Sequence, residues 1–157
     1  MFNINLTEEQ RVQKSAVAIM AHKKWADTGG VLMLGERRVC DTTPTAYTNG
    51  KDVVFGREAV AKWSDPELRF VDLHEQQHKF RRHLITWLHL QKLDAHIANV
   101  AMDMVINLDI TARDAGEGSN SAHCMRWTPD KIGITATEVA AGNGAATRTS
   151  LFSNNPW

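Results

Sequence analysis

The spacing of apolar and polar positions changes several times along the chain, and each change predicts an element. Thr7 has the character of a helix N-cap, with Glu8, Glu9 and Gln10 in the turn that follows. Val12, Ala16, Ile19 and Met20 then recur at helical spacing, which predicts a first helix running to about Trp25 and closed by Gly29-Gly30. Val31-Leu32-Met33-Leu34 is a short apolar run suited to a buried strand, and Arg37 to Asp41 offers a second. Thr45 to Thr48 and Lys51 to Phe55 are β-prone runs on either side of Asn49-Gly50, a dipeptide that favours a tight hairpin turn.

Helical patterns dominate from there on. A short helix is expected from about Glu58 to Trp63, and Ser64-Asp65-Pro66 reads as the cap and first turn of a long one, about Glu67 to Leu90. Leu73, Phe80, Leu84 and Leu88 form its predicted core-facing stripe. A further helix is predicted from about Leu93 to Leu108. Ala115 to Ser121 reads as loop, and beyond Ile134 the residues are mostly Ala, Gly, Thr, Ser and Asn, a composition that predicts a loosely ordered tail. The order helix, strands, helices predicts an α+β domain over residues 1–134, followed by a tail over 135–157.

Composition narrows the function classes. The chain has 157 residues, enough for one domain that buries a sizeable core. Eighteen Lys and Arg balance eighteen Asp and Glu, so no general field attracts nucleic acid or an anionic membrane. The start of the chain lacks the basic and apolar regions of a signal peptide, and no stretch approaches 18 consecutive apolar residues. Cys40 and Cys124 are too few and too far apart for a disulfide framework and are expected to be buried free thiols. These features predict a cytoplasmic protein with no nucleic-acid or membrane partner.

The chemistry is carried by Asp72-Leu73-His74-Glu75-Gln76-Gln77-His78, an H-E-x-x-H sequence on a predicted helix. Residues four apart lie on the same side of a helix, so His74 and His78 can grip one zinc ion, while Glu75 stands beside it as general base for a metal-bound water. A third ligand is needed. The metzincin extension would require a glycine at position 81 and a histidine at position 84, where the chain has Arg81 and Leu84. On a continuous helix His83 lies about 140° round from His78 and is expected at the surface, and His89 lies about 16 Å further along the axis, out of reach. The next helix carries His96, Asn99, Asp103 and Asn107 in one polar stripe among apolar residues, which are costly to bury together unless the polar groups find partners. Asp103 is the expected third ligand, and His96 on the same stripe is the alternative.

Three stretches together resemble a known family, the zincin-type H-E-x-x-H metallopeptidase domain of bacteria and their phages, often associated with von Willebrand-A-like modules. Pro44-Thr45-Ala46-Tyr47-Thr48-Asn49-Gly50-Lys51 resembles that family's hairpin, His74 to His78 its metal-binding helix, and Asn99-Val100-Ala101-Met102-Asp103-Met104-Val105-Ile106-Asn107 its N-x-A-x-D-x-x-I-N stretch. The resemblance implies a minimal zincin-like fold, zinc held by His74 and His78, catalysis by Glu75, and a site role for Asp103. Asn99 and Asn107 would orient the ligands. A phage-encoded member would work in the host cytoplasm. The chain departs from the family in having no von Willebrand-like module and in its tail ending Asn154-Asn155-Pro156-Trp157.

The expected reaction is hydrolysis of a peptide bond in a peptide or protein substrate, with Tyr47 or His123 as candidate donors to the developing oxyanion. The hairpin could offer an edge strand on which an extended peptide lies. The competing expectation is a catalytically silent zinc protein acting as an interaction or regulatory module. It would close the site with both Asp103 and His96, or capture a protein partner through the C-terminal tail.

Overall fold

Strong local signals at the N-terminal ends of two principal helices, at Thr7 and Ser64, determine where this chain starts to wind. The computed structural model describes residues 5–114, so the predicted tail over 135–157, the domain boundary at 134, His123 and Cys124 lie outside the described residues. Helix α1 spans Glu8–Ala21. Thr7 caps it by accepting the Gln10 amide at 3.3 Å, while the Gln10 side chain accepts the Thr7 amide at 2.9 Å, a reciprocal box that satisfies two otherwise orphaned donors. The helix stops at Ala21 rather than near Trp25, because His22 adopts an extended conformation. Trp25 is buried beyond it, beside a single 3-10 turn at Ala26–Thr28.

The expected strand at Val31 to Leu34 is instead a helical turn, α2, Gly29–Leu32, so Gly29-Gly30 opens a helix rather than closing one. Only Leu32 of that apolar run is buried, in a cluster with Ala16, Ile19, Trp25, Phe70, Leu73, Ile106 and Ile110, whereas Met33 and Leu34 are exposed. A four-residue apolar run carries no period that separates strand from helix, and packing decided the matter.

Three short strands form one sheet in the order β1-β3-β2, with β1 at Arg37–Cys40, β2 at Ala46–Thr48 and β3 at Val53–Gly56. β1 runs parallel to β3, and β2 antiparallel to it. Thr48 pairs with Val53, so the hairpin loop holds four residues, Asn49 to Asp52, rather than Asn49-Gly50 alone. The Asn49 side chain explains the longer loop: its oxygen accepts the amides of Lys51 at 2.9 Å and Asp52 at 2.7 Å, and Gly50 takes φ +87°. The fully buried β3 joins Val12, Ala46, Val60, Leu68 and Val71 in a second cluster.

Helix α3, Arg57–Lys62, leads into α4, Asp65–Phe80. Ser64 caps α4 with another reciprocal box to Glu67, and Pro66 occupies the first turn. α4 is the central element, buried from Leu68 almost without interruption and continuously from Phe70 to Lys79. The long helix expected to reach Leu90 breaks after Phe80. Arg82 takes a left-handed conformation, φ +55°, and two short helices follow: α5, His83–Thr86, and α6, Leu88–Leu93. The break overturns the predicted stripe: Leu73 is buried, Leu84 is half-buried, and Phe80 and Leu88 are each 46% exposed. Helix α7, Ala95–Asp114, then packs against both α4 and α6.

Polar groups also hold α4. Asp72 is fully buried and accepts hydrogen bonds from Arg37 at 2.5 Å and Ser15 at 2.8 Å on one oxygen, and from Gln76 at 3.3 Å on the other. Lys79 donates to the Leu34 carbonyl at 2.7 Å. At its C-terminal end Arg81 pairs with Asp109 of α7 at 2.9 Å. The α+β class follows from the described elements, and among the described residues no helix is long and apolar enough to cross a membrane.

Candidate metal centre

Two successive turns of α4 carry His74 and His78 on its α7-facing side, where they meet Asp103. His74 Nε2 lies 3.1 Å from His78 Nε2 and 3.5 Å from Asp103 Oδ1, and His78 Nε2 lies 3.0 Å from that same oxygen. A cation bound at about 2.0–2.2 Å to tetrahedrally disposed ligands would hold neighbouring donor atoms roughly 3.3–3.6 Å apart. The three observed separations lie at or just below that spacing. The His74–His78–Asp103 group could therefore hold a metal ion.

Two of these three side chains are held from behind. His74 Nδ1 faces the Asn107 side-chain oxygen at 2.9 Å, an arrangement in which Nδ1–H donates to the amide oxygen and the Nε2 lone pair is left for the ion. Asn99 donates from Nδ2 to the second carboxylate oxygen of Asp103 at 3.1 Å. The polar stripe of α7 thus divides by height along the helix: Asn107 and Asp103 stand beside α4, Asn99 supports Asp103, and His96 at the far end is exposed. His96 is two turns, or about 10 Å, from Asp103 along α7 and takes no part in the group. α7 does not hide all its apolar surface, since Ile97, Val105 and Leu108 are more than half exposed.

His83 overturns its expectation. It is buried at 4% exposure, with Nδ1 3.2 Å from His78 Nδ1, because the break at Arg82 swings it back toward the site instead of leaving it on the far face of a continuous helix. Nothing in Lys79-Phe80-Arg81-Arg82-His83 marks a left-handed residue, so no local signal could have revealed it. His89 is exposed on α6, as its distance along the chain required.

The electrostatics follow from burial and charge. Burial disfavours protonation of His74, but its hydrogen bond to Asp103 and the nearby carboxylates outweigh this and raise its pKa. Burial also opposes ionisation of Asp103, yet the two imidazoles hold its pKa down at about 2, so an anionic ligand is presented at neutral pH. Desolvation pushes the pKa of His83 down to about 4, aided by His78 and Arg81, so its ring is neutral. Glu75 is 4% exposed, and burial raises its pKa against the pull of His74 and His78. Among the described residues no hydrogen bond engages its carboxylate.

Tyr47 stands in β2 opposite Val54, half-buried and on the face away from Ala46 and Thr48, and His123 lies outside the described residues. Cys40 is a free thiol at the end of β1, but it is only half-buried rather than buried, with Sγ 3.1 Å from the Thr42 hydroxyl. No family model matches the chain, and neither any curated protein nor any solved structure is significantly similar to it.

Proposed function

We propose that the chain is a zinc-dependent peptidase in which His74, His78 and Asp103 hold the ion and Glu75 is the general base. The observation that carries this reading is the convergence of two imidazole nitrogens and one carboxylate oxygen within 3.5 Å, beside a buried carboxylate with no hydrogen-bond partner among the described residues. Two nitrogens and one oxygen make a donor set suited to zinc, and three protein ligands leave a coordination position open, the pattern of catalytic rather than structural zinc sites. The silent, closed site required His96 as a fourth ligand, and its exposure on α7 speaks against that version.

Zinc, when bound, supplies Lewis acidity that makes a water more acidic at neutral pH and polarises a carbonyl. Glu75 takes the proton of the attacking water and delivers it to the leaving amine. Asp103 reduces the positive charge of the site while Asn99 fixes its carboxylate. Asn107 keeps His74 in the tautomer that ligates through Nε2. Among the described residues β2 pairs only with β3 in the sheet, and it packs against α4, so its outer edge is a place for an extended peptide to add as a further strand.

The deciding experiment compares wild type with Glu75→Gln on a mixture of unstructured peptides, with zinc content measured on the same samples. The variant is expected to keep one zinc per chain and to lose at least about 100-fold in hydrolysis rate, the usual scale of general-base catalysis. A variant that cleaves as fast as wild type would refute the assignment, and a wild type that retains no zinc would remove its foundation.

A further inference from the structure

An imidazole that ligates through Nε2 must carry its proton on Nδ1, and that proton needs an acceptor when the ring is buried. Asn107 meets this need for His74. His78 is equally committed: its Nε2 faces His74 and Asp103, and its Nδ1 faces the interior, where the nearest acceptor is the Nδ1 of His83 at 3.2 Å. The two rings meet edge to face, with centroids 5.1 Å apart and planes at 83°.

We propose that His83 is a positioning residue of the metal centre, accepting the Nδ1–H of His78 on its own Nδ1 and so holding His78 in the tautomer whose Nε2 lone pair faces the ion. This rests on the reading of His74, His78 and Asp103 as a metal site. His83 cannot itself ligate the same ion, because its contact with His78 lies on the side of that ring turned away from His74 and Asp103. To accept, the His83 ring is neutral with its proton on Nε2, and its burial at 4% exposure fits an uncharged ring. The backbone supports the assignment independently. Arg82 is the one residue other than glycine with positive φ among the described residues, a conformation that L-residues rarely adopt. That local strain is maintained where it turns His83 from the far face of the helix onto the back of a ligand.

The test uses the full chain loaded with zinc. Nitrogen-15 NMR of the histidine rings in wild type reads the tautomer of His78 directly, and Nδ1-protonated, Nε2-ligated His78 beside Nε2-protonated His83 is expected. Zinc affinity is then measured by chelator competition for His83→Leu, which fills the space without an acceptor, and His83→Gln, whose amide oxygen can still accept. The leucine variant is expected to bind zinc about 10–100-fold more weakly, and the glutamine variant to recover most of that loss. A His83→Leu chain that binds zinc as tightly as wild type overturns the proposal, as does a His78 ring found to ligate through Nδ1. If the leucine variant does not fold, the wild-type ring spectrum and the glutamine variant still decide. Weakening by His74→Ala without any effect at His83 would sink only the positioning role, whereas a wild type that binds no zinc would sink the metal site as well.

Discussion

Asp72 lies two residues before His74, and its replacement tests whether a buried ion pair sets the position of α4. Asp72 is fully buried, and the Arg37 side chain that pairs with it is 7% exposed. In Asp72→Ala the guanidinium would keep its place beneath the Phe55 ring with no counter-charge, and among the described residues its Nε and Nη1 already have no partner. Ser15 and Gln76 would each lose an acceptor in the same change. Removing one member of a buried pair costs about 3–5 kcal/mol, a large share of the roughly 5–15 kcal/mol that holds a domain together. At about 2–4 °C per kcal/mol the midpoint of thermal unfolding should fall by roughly 6–20 °C. Replacing both members, Arg37→Met with Asp72→Leu, removes the charge and its need for a partner together, and should cost less than Asp72→Ala alone. Urea unfolding followed by circular dichroism, with and without chelator, measures these differences. A cost for Asp72→Ala below about 1 kcal/mol, or a double variant as unstable as the sum of its singles, would refute the reasoning.

Two further outcomes are expected. Gly35 has φ +73°, and a Cβ there would stand 2.1 Å from the Lys51 carbonyl oxygen, so Gly35→Ala should lower stability by at least about 1–2 kcal/mol by displacing the hairpin from β1; an unchanged urea midpoint would contradict this. The Asp103 carboxyl, at about 2 in the folded chain against 3.8 as its ordinary value, contributes stability that is present above pH 4 and lost as pH falls toward 2. In chelator-treated protein the urea midpoint should therefore decline more steeply over that interval for wild type than for Asp103→Asn, and parallel profiles would count against the ion pairs drawn to His74 and His78.

What could be read from the sequence depends on how far along the chain each interaction reaches. Thr7 with Gln10, Ser64 with Glu67, and His74 with His78 are separated by three or four residues, and helical geometry alone makes them neighbours. The start of each principal helix, the common face of the two imidazoles and the location of the hairpin were therefore legible. Asp103 could be singled out because a carboxylate amid apolar helix positions needs a partner, but His96 lay on the same stripe. Only the height at which α7 docks on α4 distinguished the two. The sequence had no means to announce the left-handed turn at Arg82, because no glycine or asparagine marks it. Tertiary packing thus decided that His83 is buried against His78, that Val31 to Leu34 begins in a helical turn, and that β1 runs parallel to β3. Each of these depends on groups brought together from distant parts of the chain, where burial and pairing outweigh the weak preferences of a few consecutive residues.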